Sequence, residues 1–249
     1  MPITLKEIVS VFKAGLSHID RSPPPPTQMG FIPSVSTLSE DTIRDHLLDY
    51  FAISELEKCS HMEHGKNSEV KYPNQPKNGR GRCDLCLGEP PDFEWAIEIK
   101  YIRYVGDNGK KNDFGPSKVV SPYLIHNSAI KDAIRLTKYP LAKRSAVIMF
   151  GFDYDMDVVK RGRKLLEKYG LCSSRCHELE KVLRANDQDN LTYYTEPTFR
   201  MFENVAQDFV SLSRREKDSF EGFRHPVAQK GSIAAWEIMN KSDNQNLFT

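Results

Sequence analysis

The spacing of apolar residues changes period several times along the chain, and each change marks an element. Leu5, Ile8, Val9, Phe12 and Leu16 recur at helical spacing, so residues 4 to 17 are expected to form an amphipathic helix. Arg21-Ser-Pro-Pro-Pro-Pro-Thr27 cannot continue it and reads as a stiff polyproline connector, although four prolines also have the form of a ligand for a proline-reading module. Thr37-Leu-Ser-Glu40 has the spacing of a capping box, and Ile43, Leu47, Leu48 and Phe51 extend it as a second amphipathic helix with Glu40 in its first turn. The period then drops to two. Glu69 to Tyr72 predicts a short strand, and Gly81 to Leu87 with Glu94 to Arg103 predict the arms of a hairpin around the breaker Gly88-Glu-Pro-Pro-Asp-Phe93. Asn127-Ser128 opens a helix through Ile130, Ala133, Ile134 and Leu136 that Tyr139-Pro140 ends. Ser145 to Phe152 is an unbroken apolar run, the pattern of a central strand buried on both faces. Further on, helices are expected over Val158 to Tyr169 and His177 to Ala185, a short strand over Leu191 to Tyr194, a loop over Phe220 to Val227 and a last strand over Ser232 to Met239; from Phe199 the pattern blurs.

The hairpin is the part of this pattern that carries chemistry. Alternation puts Trp95, Ile97, Ile99 and Tyr101 on one face and Glu98 with Lys100 on the other, while Cys83, Leu85 and Leu87 leave Asp84 on the polar face of the first arm. Asp84 and Glu98 flank the Pro90-Pro91 turn symmetrically, so a simple hairpin brings the two carboxylates together. Two carboxylates and a backbone carbonyl suit Mg²⁺, which takes oxygen ligands and keeps several waters. Lys100 beside them has the charge to orient or deprotonate a water, or to stabilise charge on a phosphate. A Glu-x-Lys on an antiparallel strand is equally an ordinary solvated surface.

At these residues the chain resembles the PD-(D/E)XK nuclease superfamily, with Asp84 as the first acid and Glu98-Ile99-Lys100 as the ExK triplet. Cys83 stands where the superfamily's proline precedes the acid, and Pro91-Asp92 spells the dipeptide inside the turn, too near Glu98 to serve. The resemblance implies a restriction-endonuclease-like αβββαβ core, and the element order helix, three strands, helix, buried strand agrees with it. It implies that Asp84, Glu98 and the Ile99 carbonyl hold Mg²⁺, or Mn²⁺ in its place, and that Asp84, Glu98 and Lys100 are catalytic; Glu40 is the candidate to complete the metal site, a plain helix cap being the alternative. The activity implied is hydrolysis of phosphodiester bonds in DNA. An RNA-directed nuclease and an inactive nucleic-acid-binding module on the same fold are the alternatives.

The remaining features adjust this picture without changing it. At 249 residues the chain is read as one α/β nuclease-like domain: a mixed central sheet flanked by helices, with 1–36 an N-terminal helix and connector, 37–153 the catalytic core, and 154–249 helices and strands completing it. A net charge of +1 means that any nucleic-acid contact must come from local patches. Candidates are Arg80 and Arg82 before Asp84, Lys110, Lys111 and Lys118 in a glycine-rich excursion, and Lys131 and Arg135 on the helix after it. Four cations around Lys160 to Lys164 are either a further phosphate track or a wet helix face. Five cysteines and no signal-peptide pattern point to reduced thiols in the cytoplasm. Cys83 and Cys86 are expected to point to opposite strand faces, which argues against a shared zinc ion. No P-loop, GxGxxG or nucleophile elbow occurs, which removes most nucleotide-driven and acyl-transfer classes. Cutting both strands of DNA commonly needs two active sites, so a homodimer is a possible assembly.

Overall fold

The apolar run around Val147 lies at the centre of the sheet, as its lack of polar alternation requires. In the computed structural model, which describes residues 2–24, 30–54, 56, 59, 62–63, 65–74, 81–106, 108–110, 119–123, 127–185 and 195–239, this run is strand β4 (Arg144–Asp153), buried at all but its end residues. The chain order is α1 (Leu5–Arg21), a 3₁₀ turn (Val35–Thr37), α2 (Glu40–Ile53), β1 (Ser68–Lys71), β2 (Arg82–Leu87), β3 (Trp95–Ile102), α3 (Ala129–Lys138), β4, α4 (Met156–Lys168), α5 (Ser174–Ala185), α6 (Thr195–Ala206), β5 (Ser211–Glu221) and β6 (Lys230–Met239). The strands form one six-stranded sheet in the order β1-β2-β3-β4-β6-β5. β3 and β4 run parallel, joined through α3, and the other neighbouring pairs are antiparallel. The expected α/β class, with a mixed central sheet flanked by helices, is therefore the observed one, and the run from α2 to β4 has the order α-β-β-β-α-β.

Cross-strand register sorts the side chains onto two faces. Tyr101 of β3 pairs with Phe150 of β4, which pairs with Ile233 of β6, and this face is covered by α1: Phe12 meets Phe150 edge-on at 5.4 Å and Tyr101 stacks on Phe150 at 4.8 Å. Glu98 pairs with Val147, which pairs with Trp236, and this face is covered by α3 and α6, whose Phe199 and Phe202 pack on the Trp236 ring. The supposed solvent face of the Glu-x-Lys strand is thus interior. Every residue of β3 is buried.

Three local features differ from expectation, and one expected strand cannot be compared. The cap of α2 is Ser39, whose hydroxyl accepts from the Thr42 N–H at 3.1 Å, while Thr37 ends a 3₁₀ turn capped by Ser34. Glu40 is still in the first turn of α2. α6 and β5 were not expected from the pattern, and the strand expected over Leu191 to Tyr194 lies outside the described residues. The loop expected from Phe220 begins only after β5 ends at Glu221, and within it His225 accepts from the N–H groups of Val227 and Ala228 at 3.3 Å, a loop-forming role. Among the described residues, no helix is long and apolar enough to cross a membrane.

Candidate active site

The site is built where two paired strands part. β2 pairs with β3 through Leu87↔Trp95, Cys86↔Ala96 and Leu85↔Ile97, and there the ladder stops. Beyond that point β3 still aims backbone groups into the gap, and a buried N–H must find an acceptor. Two carboxylates supply it: the Ile99 N–H donates to Asp84 Oδ2 at 2.8 Å and the Tyr101 N–H to Glu40 Oε2 at 2.6 Å. In a strand, the N–H and C=O of one residue point to the same edge. The Ile99 carbonyl therefore faces this gap between the two acids.

Each acid is delivered by fixed neighbours. The segment before α2 is pinned at Ser36, whose carbonyl accepts from the Tyr101 hydroxyl at 3.2 Å and from Arg175 Nη2 at 3.1 Å, and at Leu38, whose carbonyl accepts from Arg103. Glu40 follows directly. Across β1, Glu69 lies opposite Asp84 in the register Ser68↔Leu85 and Val70↔Cys83, and it takes a left-handed φ of 56°. That conformation costs a non-glycine residue on the order of 1 kcal/mol or more, and such strain gathers at functional sites. Glu69 also accepts from the buried Arg44 at 2.7 Å, and the same guanidinium lies 3.8 Å from Asp84 Oδ1. Strict alternation fails beside Asp84, because the Cys83 thiol lies among Cys86, Tyr72 and Glu98 rather than on the opposite face. The two thiols do meet, contrary to expectation; both are free, and burial followed by the neighbouring Cys86 thiol keeps the Cys83 proton on well above the usual thiol range.

The floor of the site lies under α3. Glu98 is 2 % exposed and Asp132 1 %, whereas the Glu40 side chain keeps 29 % of its surface open and forms the rim. Glu98 Oε1 accepts from the Tyr72 hydroxyl at 2.6 Å. Lys100 Nζ donates to Glu40 Oε1 at 3.3 Å and lies 3.0 Å from Asp132 Oδ2 on the other side. Arg135 donates through Nη2 to Asp132 Oδ1, sits with its guanidinium 5.5 Å from the centre of the Tyr72 ring, and holds Nε 3.7 Å from Glu98 Oε1. Asp132 Oδ2 and Arg135 Nε are buried without a directed hydrogen bond. The 3.0 Å approach of Lys100 to Asp132 is thus an attraction of charge without hydrogen-bond alignment.

Four carboxyl groups, Glu40, Asp84, Glu98 and Asp132, here face three cations, Lys100, Arg135 and, beside Asp84, Arg44. Burial and this crowding of charge set the proton affinities of Glu98, Glu40 and Lys100. Burial first, then the charge of Asp84, holds Glu98 well above the ordinary carboxylate range against the pull of Arg135 and Lys100. Burial also raises Glu40; Lys100 draws it down and Asp84 pushes it back up. Burial alone would lower Lys100, but Glu40, Asp84 and Glu98 outweigh it and the ammonium is kept above its usual value. Tyr72 stays a phenol, kept so by burial first and by its neighbours Cys83 and Glu98.

Asp84, Glu98, Ile99, Lys100 and Glu40 are therefore brought together as the sequence leads one to expect, but not in a cleft that leaves the core alone. Glu98 and Lys100 are part of the interior. Of the cations assigned to nucleic acid, Arg135 joins the cluster, Lys131 lies one residue before Asp132 and is half-buried, Arg82 is exposed with Nε 3.9 Å from Glu69, and Lys110 is exposed. Arg80, Lys111 and Lys118 lie outside the described residues. Sequence reasoning missed Tyr72, Arg44 and Asp132 as members of the site. Asp132 alone left a trace, as an acid three residues before Arg135 on an otherwise amphipathic helix.

The residues fit Mg²⁺ by chemistry, since Asp84, Glu98, Glu40 and the Ile99 carbonyl offer hard oxygen donors. Among the described residues no three His, Cys, Asp or Glu side chains already converge as closed ligands do. Comparison with protein-family models, curated proteins and solved structures returns no match for this chain. The functional reading therefore rests on geometry.

Proposed function

We propose that the protein is a Mg²⁺-dependent endonuclease of the restriction-endonuclease-like class that hydrolyses phosphodiester bonds in DNA. The observation that carries the reading is the parting of β2 from β3, which hands the Ile99 and Tyr101 N–H groups to Asp84 and Glu40 beside Glu98 and Lys100. Asp84, Glu98 and the Ile99 carbonyl would hold the ion with Glu40 beside them, and Mn²⁺ shares the preference for oxygen. When bound, the ion supplies Lewis-acid polarisation of a phosphoryl oxygen and a more acidic water. Lys100, held as an ammonium by acids on two sides, has no lone pair to take a proton with. Its part is to fix a water by hydrogen bonding and to set positive charge where the phosphate gains negative charge. Tyr72 keeps Glu98 in place by donating to one oxygen, leaving the other for the ion. Arg135 at the rim, with Lys131, Arg82 and Lys110 further out, provides cations for the DNA backbone, and Arg80, Lys111 and Lys118 carry the same expectation.

The test is nicking and linearisation of supercoiled plasmid by wild type, Asp84→Asn, Glu98→Gln and Lys100→Met in Mg²⁺, Mn²⁺ or EDTA, with circular dichroism to show that each variant folds. The expected result is divalent-dependent cleavage by wild type and a loss of about 10²-fold or more in each variant. Cleavage of structured RNA but not plasmid moves the substrate to RNA. Binding without cleavage of either makes the protein an inactive binding module, and equal activity in the variants overturns the site.

A further inference from the structure

We infer that Asp132 is the positioning residue for Lys100, fixing its ammonium where it faces the substrate, while Arg135, which also rests on Tyr72 and Glu98, is anchored beside it. The inference rests on the nuclease reading for its kinetic consequence and on the structure alone for its geometric one. Asp132 belongs to the first turn of α3, and that turn is fixed: Ser128 caps it by accepting from the Lys131 N–H at 3.2 Å and is itself tied to the Ser121 carbonyl at 2.8 Å. From this rigid point one carboxylate oxygen takes Arg135 and the other lies 3.0 Å from Lys100 Nζ.

A carboxylate that is 1 % exposed is tolerated only when paired, and among the described residues this one pairs with Lys100 and with Arg135. The reciprocal effect matters more for function. A lysine head on a four-carbon stem has many positions open to it. Glu40 alone would draw Lys100 toward the rim; Asp132 pulls from the floor, and the two acids at 3.3 Å and 3.0 Å bracket the ammonium. Arg135 is likewise held across Tyr72 toward Glu98. Two plainer roles compete. A mere counter-ion would affect stability only, and an additional metal ligand would change the Mg²⁺ requirement.

The experiment compares wild type, Asp132→Asn, Lys100→Met and the double variant by kcat, KM and Mg²⁺ titration on a duplex substrate, and by the ¹⁵N–¹H resonance of the Lys100 ammonium. That resonance should be protected in wild type, identified by its loss in Lys100→Met, and shifted or broadened in Asp132→Asn. Asp132→Asn should lower kcat about 10²-fold, the size of effect that an ångström of misplacement brings. KM and the Mg²⁺ midpoint should stay within about twofold, and in the Lys100→Met background the substitution should add no more than about twofold. Should Asp132→Asn not fold, Asp132→Glu, which keeps the charge but shifts it by a methylene, is expected to lower kcat with KM unchanged. An unmoved Lys100 resonance, a kcat loss that adds fully to that of Lys100→Met, or recovery at high Mg²⁺ would overturn the inference. If wild type cleaves nothing, the nuclease reading fails, while the Lys100 resonance and its response to Asp132→Asn still decide the geometry.

Discussion

Glu98 is packed in the sheet interior with Asp84 as its neighbour, and both facts make its ionised form expensive. Its carboxyl binds a proton more tightly in the folded chain than the ordinary value of 4.5 allows. The sign follows from linkage: what this group adds to stability is fully present below pH about 4.5 and is lost as pH rises. Glutamine cannot ionise, so Glu98→Gln should gain on wild type in urea unfolding free energy as pH is raised from about 5 to about 8 in EDTA. Each unit spanned is worth up to about 1.4 kcal/mol. A flat difference across that range would mean that the carboxylate is not penalised. At this scale the site was half legible. Asp84, Glu98 and Lys100 lie in one hairpin, so strand spacing alone brings them together, and Glu40 is placed by its helix start. Tyr72 directly follows β1 and Asp132 lies in α3, and only the packing of those segments around β3 brings them there. No spacing along the chain encodes it.

Among the elements, β6 is squeezed between β4 and β5 at Gly231. A side-chain carbon on Gly231 would run into the Gly151 carbonyl and the Phe220 ring. Gly231→Ala should therefore destabilise the protein by about 1–3 kcal/mol, the usual effect of overpacking, read as a lower urea midpoint with an unchanged slope. β5 shows why the C-terminal third was hard to read. Its Ser211 to Glu221 stretch is an edge strand with charged residues at every position from Arg214 to Asp218, and each face has an ionic partner. Asp218 pairs with Lys13 of α1 at 3.0 Å, and Arg215 with Glu196 of α6 at 3.0 Å. Burial would raise Glu196, but hydrogen bonds from Lys217 and Arg215 hold it down at about 2. A strand secured by ion pairs carries no apolar alternation, and the same charges keep its open edge from pairing with another chain. The central strand β4, buried on both faces, was legible for the opposite reason.

Across the whole molecule, the segment leading into α1 and strand β6 meet on the sheet that holds the site. The Ile3 N–H donates to Glu94 at 2.6 Å, the Trp95 indole donates to the Ile3 carbonyl at 3.0 Å, and Arg144 of β4 pairs with Glu237 of β6 at 2.7 Å. One contiguous apolar core runs from Ile3 to Ile238. The segment 37–153, although it contains Glu40, Asp84, Glu98 and Lys100, would lose β6 from the side of β4 and Phe12 from Phe150. Expressed alone it should show no cooperative unfolding transition by circular dichroism and should bind an apolar dye. A sharp transition would show that the core stands without its additions.

The gap between β2 and β3 leaves the molecule with two natural reporters. The Ile99 and Tyr101 amides are shielded from solvent hydrogen not by a neighbouring strand but by one carboxylate each, Asp84 for the first and Glu40 for the second. Their isotope-exchange rates therefore track, acid by acid, whether each carboxylate is seated on the strand or has swung away to another partner. The state of the site can be followed from the backbone with no substrate present and no bond broken.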